Sequence, residues 1–310
     1  MKNKQTFTEI VKEELASIEY EDARLKALLS AYIRINGSLI YRAKKEHLML
    51  INESAKISKF IYSSLNYFYD NRAHLSFQTN RKKTVFVITL EDCEDVITDL
   101  DISFLEGKIS RTIVYDDQTI AGYLAGAFLA NGSINSPATS NYHLEISANS
   151  ENYIKWMSKL FARYKGIAIE PHIIQRRDRY VLYIKKSEYI ADFLVLVGAT
   201  NSCMEFENVR VSRDFMNSAN RLTNMDTANM RKTFRTAERQ IAEIKEIDSK
   251  IGIDSIPISK VRLLCHLRLE NETASMQDLA EMMSEQLNKE VSKSNINHLF
   301  RKIHEIYEGL

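Results

Sequence analysis

The sequence predicts an α+β protein made of two related halves, followed by an all-helical C-terminal third. Three observations carry that prediction. The phrase LSAYIRINGSL at residues 29–39 returns as LAGAFLANGSI at residues 124–134, an offset of 95. Each phrase is followed by the same succession of periodicities: strand, turn, strand, helix, hairpin, helix. After about residue 205 hairpin signals stop and helical spacing takes over.

A chain of 310 residues divides more naturally into two domains than one. The expected boundaries are 1–204 for the duplicated domain (repeats about 1–105 and 112–200), 205–252 for a helical linker, and 253–310 for a C-terminal domain. With 45% hydrophobic and 27% charged residues, three prolines and nine glycines, the chain has the composition of an ordered globular protein. A net charge of +1 gives no global attraction to nucleic acid, so any such binding has to come from local basic patches. Cys93, Cys203 and Cys265 form no C-x-x-C pair, which predicts free core thiols in a reducing compartment rather than a disulfide framework or zinc ribbon. No leader-like or membrane-spanning apolar run is present, and the expectation is a cytoplasmic protein with no membrane partner.

In the first repeat a helix ends at Asn36-Gly37, a strand pair follows in SLIYRAKKEHLMLI, then a helix in AKISKFIYSSLNYFY, a hairpin in HLSFQTNRKKTVFVITL and a helix in EDCEDVITDL. The second repeat reads SINSPATSNYHLEIS, ENYIKWMSKLFARY, IEPHIIQRRDRYVLYIK and SEYIADFLVLVG after Asn131-Gly132. β-branched and aromatic residues such as Val85, Val87, Tyr180 and Leu182 suit the hairpin strands. The glycine after each asparagine is expected to take the left-handed conformation of a helix terminus. Gly122 and Gly126 recur one turn apart on the second motif helix, and Ala27 and Ala31 stand at the matching places of the first, so the two helices are expected to pack with backbones close together. Both second hairpins have basic tips, Arg81-Lys82-Lys83 and Arg176-Arg177 with Arg179; phosphate contact and an ordinary charged turn both fit them.

LAGAFLANGSI resembles the LAGLIDADG motif of homing endonucleases and intron maturases, whose two motif helices pack at a pseudo-twofold axis over a DNA-holding saddle of strands. In that family an acidic residue just before the final glycine of each motif helps to bind a divalent metal; here Asn36 and Asn131 stand in its place. A magnesium site needs anionic oxygens, and asparagine supplies none. No metal, no cofactor and no catalytic residue are therefore expected. Residual acids such as Glu145 and Asp116 lack the paired symmetry.

In the C-terminal third, Asn217, Asn220, Arg221 and Asn224 share one helical face that suits either phosphate binding or docking, or is simply solvated. GIDSIP at residues 252–257 reads as a break. Three helices follow, the first opened by Ser259 or Pro257, the second by Ser275 with Asp278, the third by Ser292 or Ser294. In the third, Ile296, Leu299, Phe300 and Ile303 fill one face, leaving Lys293, Ser294, Asn295, Asn297, His298, Arg301 and Lys302 for the other and its flanks. Short hydrogen-bonding groups near the start and cations further on are what a DNA recognition helix needs.

SANRLTNMDTANMRKTFRTAERQI followed by SKSNINHLFRKI is similar to the WhiA family of bacterial sporulation and cell-division transcription regulators. The resemblance covers nearly the full chain and implies a degenerate LAGLIDADG-like domain joined to a helix-turn-helix at about 274–308. It implies a non-enzymatic regulator binding promoter DNA in the nucleoid, with a sigma factor or RNA polymerase as a further partner. The chain departs from the family pattern at Leu299, in place of an arginine, which would remove one DNA contact. An active endonuclease or maturase, and an adaptor for a sigma factor or other protein, stand as the alternatives.

Overall fold

Two four-stranded antiparallel sheets built to one plan carry the first two thirds of the chain. The computed structural model describes residues 5–42, 45–80, 83–104, 111–139 and 141–310. After α1 (Phe7–Leu15), the first repeat runs α2 (Asp22–Asn36), β1 (Gly37–Arg42), β2 (Lys45–Asn52), α3 (Ala55–Phe68), β3 (Ala73–Asn80), β4 (Lys83–Leu90) and α4 (Glu94–Asp99). The second runs α5 (Asp117–Asn131), β5 (Gly132–Ile134), β6 (Leu144–Ala148), α6 (Glu151–Arg163), β7 (His172–Arg176), β8 (Arg179–Ile184) and α7 (Ser187–Val197). Strand orders are β1-β2-β4-β3 and β5-β6-β8-β7.

Alternation along the strands decides which sheet face the helices cover. Leu48 and Leu50 of β2 pair with Leu90 and Ile88 of β4, and all four are buried. Leu144 and Ile146 of β6 pair with Ile184 and Leu182 of β8, again all buried. The intervening residues, Met49 and Ile51 or Glu145 and Ser147, lie on the opposite, open face.

At the centre of this unit α2 and α5 approach backbone to backbone. A Cβ built on Gly126 would lie 2.0 Å from the Leu28 carbonyl oxygen, and one on Gly122 would lie 2.3 Å from that of Arg24. Ala27 and Ala31 are fully buried. Side chains of any size at the two glycines would hold the helices apart.

The glycines that end the motif helices differ from expectation. Gly37 has φ −80° and ψ 146°, and Gly132 has φ −84° and ψ 152°, so both are extended rather than left-handed. Each helix passes straight into a strand, and glycine is needed there for room. A Cβ on Gly37 would sit 2.5 Å from the Ile33 carbonyl oxygen, and one on Gly132 would sit 2.2 Å from the Phe128 ring.

One unbroken helix, α8 (Thr200–Ile251), follows. Glu14 of α1 receives its first N–H groups, Asn201 at 2.7 Å and Ser202 at 2.8 Å, placing negative charge at the positive end of the helix. The chain divides into two compact units, residues 1–213 and 214–310. The second contains the rest of α8, a 3-10 turn (Ile253–Ser255), α9 (Ser259–Glu270), α10 (Met276–Leu287) and α11 (Lys293–Glu308). Gly252 breaks α8 at φ 79°. The N-cap of α9 is Ile258, which offers no side-chain acceptor, in place of the expected Ser259 or Pro257. All three cysteines are buried and free, and burial pushes the Cys93 thiol up to about 11 and the Cys265 thiol up to about 12.

Candidate nucleic-acid interface

Helix α11 is aimed by a short run of local bonds. Ser275 Oγ accepts from the Gln277 and Asp278 amides at 3.2 Å, and the Asp278 carboxylate accepts from the Ser275 amide at 2.8 Å, closing a capping box at the start of α10. Asn288 ends α10 in the left-handed region at φ 50°. Ser284 Oγ then accepts from the Val291 amide at 2.9 Å, and Ser292 opens α11 by accepting from the Asn295 amide at 3.2 Å. The turn between the two helices is thereby tied at both ends.

Packing fixes the rotation of α11. Ile296, Leu299, Phe300 and Ile303 are buried against Val261, Leu264 and Cys265 of α9 and Leu279 and Met283 of α10. Leu299 is therefore a core residue and does not belong to the exposed face of α11. Arg268 of α9 supports the same corner from within. Its side chain is 1% exposed, donates to the Ala274 carbonyl at 2.6 Å and lies 5.5 Å from the Phe300 ring centroid. Desolvation holds its pKa below the usual guanidinium value.

With that face occupied, Lys293, Ser294, Asn295, Asn297, His298 and Arg301 are exposed and Lys302 is half-buried. Ser294, Asn295, Asn297, His298 and Arg301 line one open groove of about 1160 Å³. Lys260, Lys289 and Arg239 also line it, alongside Glu243, Glu290 and Glu305. Glu243 is turned inward, with His304 Nδ1 at 3.1 Å and Arg239 at 3.6 Å.

Asn217, Asn220, Arg221 and Asn224 are exposed on α8, and Asn224 borders a second groove that runs to Arg239. Arg231, Lys232 and Arg235 line that groove and were not singled out by sequence reading. Their spacing of i, i+1 and i+4 was the signal, hidden because the chain as a whole is near neutral.

The basic tips of the first unit are partly compensated. Arg176 pairs with Glu145 at 2.8 Å, and Lys83 with Glu53 at 2.9 Å. Arg177, with φ 52°, and Arg179 are exposed. Arg81 and Lys82 lie outside the described residues.

At the motif ends, Asn36 Nδ2 donates to the Ile51 carbonyl at 3.0 Å and Asn131 Nδ2 donates to the Ser147 carbonyl at 3.0 Å. Neutral amides committed to backbone carbonyls supply no anionic oxygen, so these residues do not fit a divalent metal. Glu145 is also engaged by His143 at 2.9 Å, and Asp116 caps α5 by accepting from the Thr119 amide at 2.8 Å. Among the described residues, no group of three or more His, Cys, Asp or Glu side chains comes together as a metal site.

Fold and site together define a duplicated LAGLIDADG-like domain linked to a C-terminal helix-turn-helix domain. Sequence profiles describe the same organisation: the WhiA N-terminal LAGLIDADG-like domain matches residues 22–103, the WhiA LAGLIDADG-like domain residues 120–216, and the WhiA C-terminal HTH domain residues 219–307. The chain is 39% identical over 312 residues to a probable cell division protein WhiA of Enterococcus faecalis, covering 98% of each. Its counterpart in Lacticaseibacillus paracasei is 36% identical over 313 residues, covering 98% of this chain and 97% of the relative. The chain belongs to the WhiA family. The crystal structure of full-length DUF199/WhiA from Thermatoga maritima superposes over 99% of both chains with a TM-score of 0.61 at 26% identity.

Proposed function

We propose that the protein is a non-catalytic, DNA-binding regulator of transcription that acts in cell division, with sporulation-type differentiation as a related role. The observation that carries this is the exposed face of α11, where Lys293, Ser294, Asn295, Asn297, His298 and Arg301 stand free of the core on a helix held by its own caps. Side chains of this kind at the start of a helix bond to base edges in the major groove, while Arg301 and Lys302 offer charge to phosphates. The relatives' name, probable cell division protein WhiA, supports the process. The amides at Asn36 and Asn131 support the absence of phosphodiester cleavage. No helix among the described residues is long and apolar enough to cross a membrane.

A second reading, that the first unit also holds a protein such as a sigma factor or RNA polymerase, is favoured by its first sheet. The open face of that sheet presents Met49, Ile51, Val85 and Val87, and Ile51 is 46% exposed.

Chromatin immunoprecipitation should recover promoter regions, and purified protein should retard a duplex drawn from them. Lys293→Ala with Arg301→Ala should weaken that binding without lowering the melting temperature, and plasmid DNA should stay intact with Mg²⁺ or Mn²⁺. Unaltered affinity in the double variant would remove α11 from the interface, and nicking that co-purifies with the protein would restore the nuclease.

A further inference from the structure

The chain carries 42 basic and 41 acidic residues, yet its charge is unevenly placed. Between residues 219 and 239 of α8 the sequence holds five basic residues, Arg221, Arg231, Lys232, Arg235 and Arg239, and two acidic ones, Asp226 and Glu238. Arg231, Arg235 and Arg239 recur every four residues and so form a stripe along one side of the helix. All three, with Lys232, are exposed, and among the described residues Arg231, Lys232 and Arg235 form no ion pair.

The stripe lines a groove of about 640 Å³ whose walls are Asn224, Thr227, Ala228, Thr236 and these four cations, with no carboxylate among them. Thr236 and Arg239 also line the groove beneath α11. Basic side chains of α8 and hydrogen-bonding side chains of the recognition helix thus border one continuous surface within the second unit. Arg239 has Glu243 at 3.6 Å, but among the described residues Arg231 and Arg235 have no carboxylate partner. Such a row is costly to leave as a structural device, because like charges one turn apart repel by a few tenths of a kcal/mol per pair. A polyanion alongside reverses the sign of that interaction.

We propose that Arg231, Lys232, Arg235 and Arg239 are a second DNA site, gripping backbone phosphates of the duplex whose major groove α11 enters. This rests on the DNA-binding reading above and assigns the division of labour within it. Helix α11 reads bases, and α8 sets register and supplies electrostatic affinity. The stripe spans about 12 Å of helix axis, the length of roughly three to four phosphates on one strand of B-form DNA. Arginine suits such a role because its fork bonds a phosphate through two parallel N–H groups.

The test uses the full chain and a fluorescein-labelled 40-base-pair duplex of mixed sequence, with anisotropy titrations at several NaCl concentrations from 50 to 200 mM. Arg231→Ala with Arg235→Ala should weaken binding to this duplex and reduce the slope of log K against log salt by about 1.8, since each lost phosphate contact removes about 0.9. Arg231→Lys with Arg235→Lys should regain most of that slope, and circular dichroism should show unchanged helicity in both. An unchanged slope in the alanine pair, beside weakened binding in Lys293→Ala with Arg301→Ala, would overturn the α8 site and leave the recognition helix standing. Loss confined to the α8 pair would uphold the stripe and overturn the role of α11. No binding by the unaltered protein would overturn both.

Discussion

Asn131 donates its side-chain amide to the backbone carbonyl of Ser147 at 3.0 Å and to the Ser147 hydroxyl oxygen at 2.7 Å. Asn36 does the same to Ile51, with a second bond to the Tyr32 hydroxyl at 3.1 Å. Each amide thereby ties the end of a motif helix to the neighbouring strand, at the position where LAGLIDADG nucleases carry an acid. A carbonyl oxygen only accepts, so the group facing it has to donate.

Asn131→Asp should therefore turn an attraction into a repulsion between two acceptors, at a cost of about 1–3 kcal/mol near neutral pH. Part of that loss should return at acid pH, where the protonated carboxyl again has a hydrogen to donate. Denaturant melts of both proteins at pH 7.5 and pH 4.5 check this. Asn36→Asp with Asn131→Asp should remain unable to nick plasmid DNA with Mn²⁺. Metal-dependent cleavage without loss of stability would show that the amides are not structural ties.

Gly126→Ala adds one methyl group where no side chain can yield. The built Cβ lies 2.0 Å from the Leu28 carbonyl oxygen and 2.9 Å from the Leu28 Cα, so α2 and α5 would have to separate. Forcing backbone apart in a packed core costs ~3 kcal/mol or more. Gly309→Ala is the control, since its nearest neighbour stands at an ordinary 3.5 Å. Calorimetry should show a clear drop in melting temperature for the first and almost none for the second; equal behaviour would mean the helix contact is looser than drawn.

Features that depend on local periodicity were legible in the sequence. The glycine stripe of α5, the apolar face of α11 and the Ser275–Asp278 box are set by spacing along one helix, and residues three or four apart are neighbours whatever the fold. What was not legible depends on how the backbone leaves a helix, on partners far along the chain or on the absence of a cap. Asn-Gly at a helix end ordinarily signals a left-handed terminus, but here the packing of Ile33 and Phe128 requires glycine in an extended conformation. Spacing puts Leu299 on the apolar face of its helix, but the α9 and α10 residues that cover it lie far along the chain. Arg231 and Arg235 escape notice because cations on a long polar helix look like ordinary solvated charge until their groove is seen to share Thr236 and Arg239 with the groove along α11.

Lys12 of α1 gives the stability of the first unit a pH signature. Its ammonium lies 5.8 Å from the Phe128 ring centroid, and burial pulls its pKa down to about 8 from an ordinary 10.5. A lysine with a depressed folded pKa is charged in both states below pH 8, and there folding bears the cost of keeping that charge out of water. Between about pH 8 and 10.5 the unfolded chain holds a proton that the folded protein has released, so this group adds stability as pH rises. Thiols work the other way, because burial raises the pKa of Cys93, and a comparison of variants separates the two. Lys12→Met should be more stable than the unaltered protein at pH 7 by on the order of 2 kcal/mol, with the gap closing toward pH 10. Urea melts of both proteins from pH 7 to pH 10 measure it, and a gap that stays constant or widens would mean that Lys12 keeps its water in the folded state.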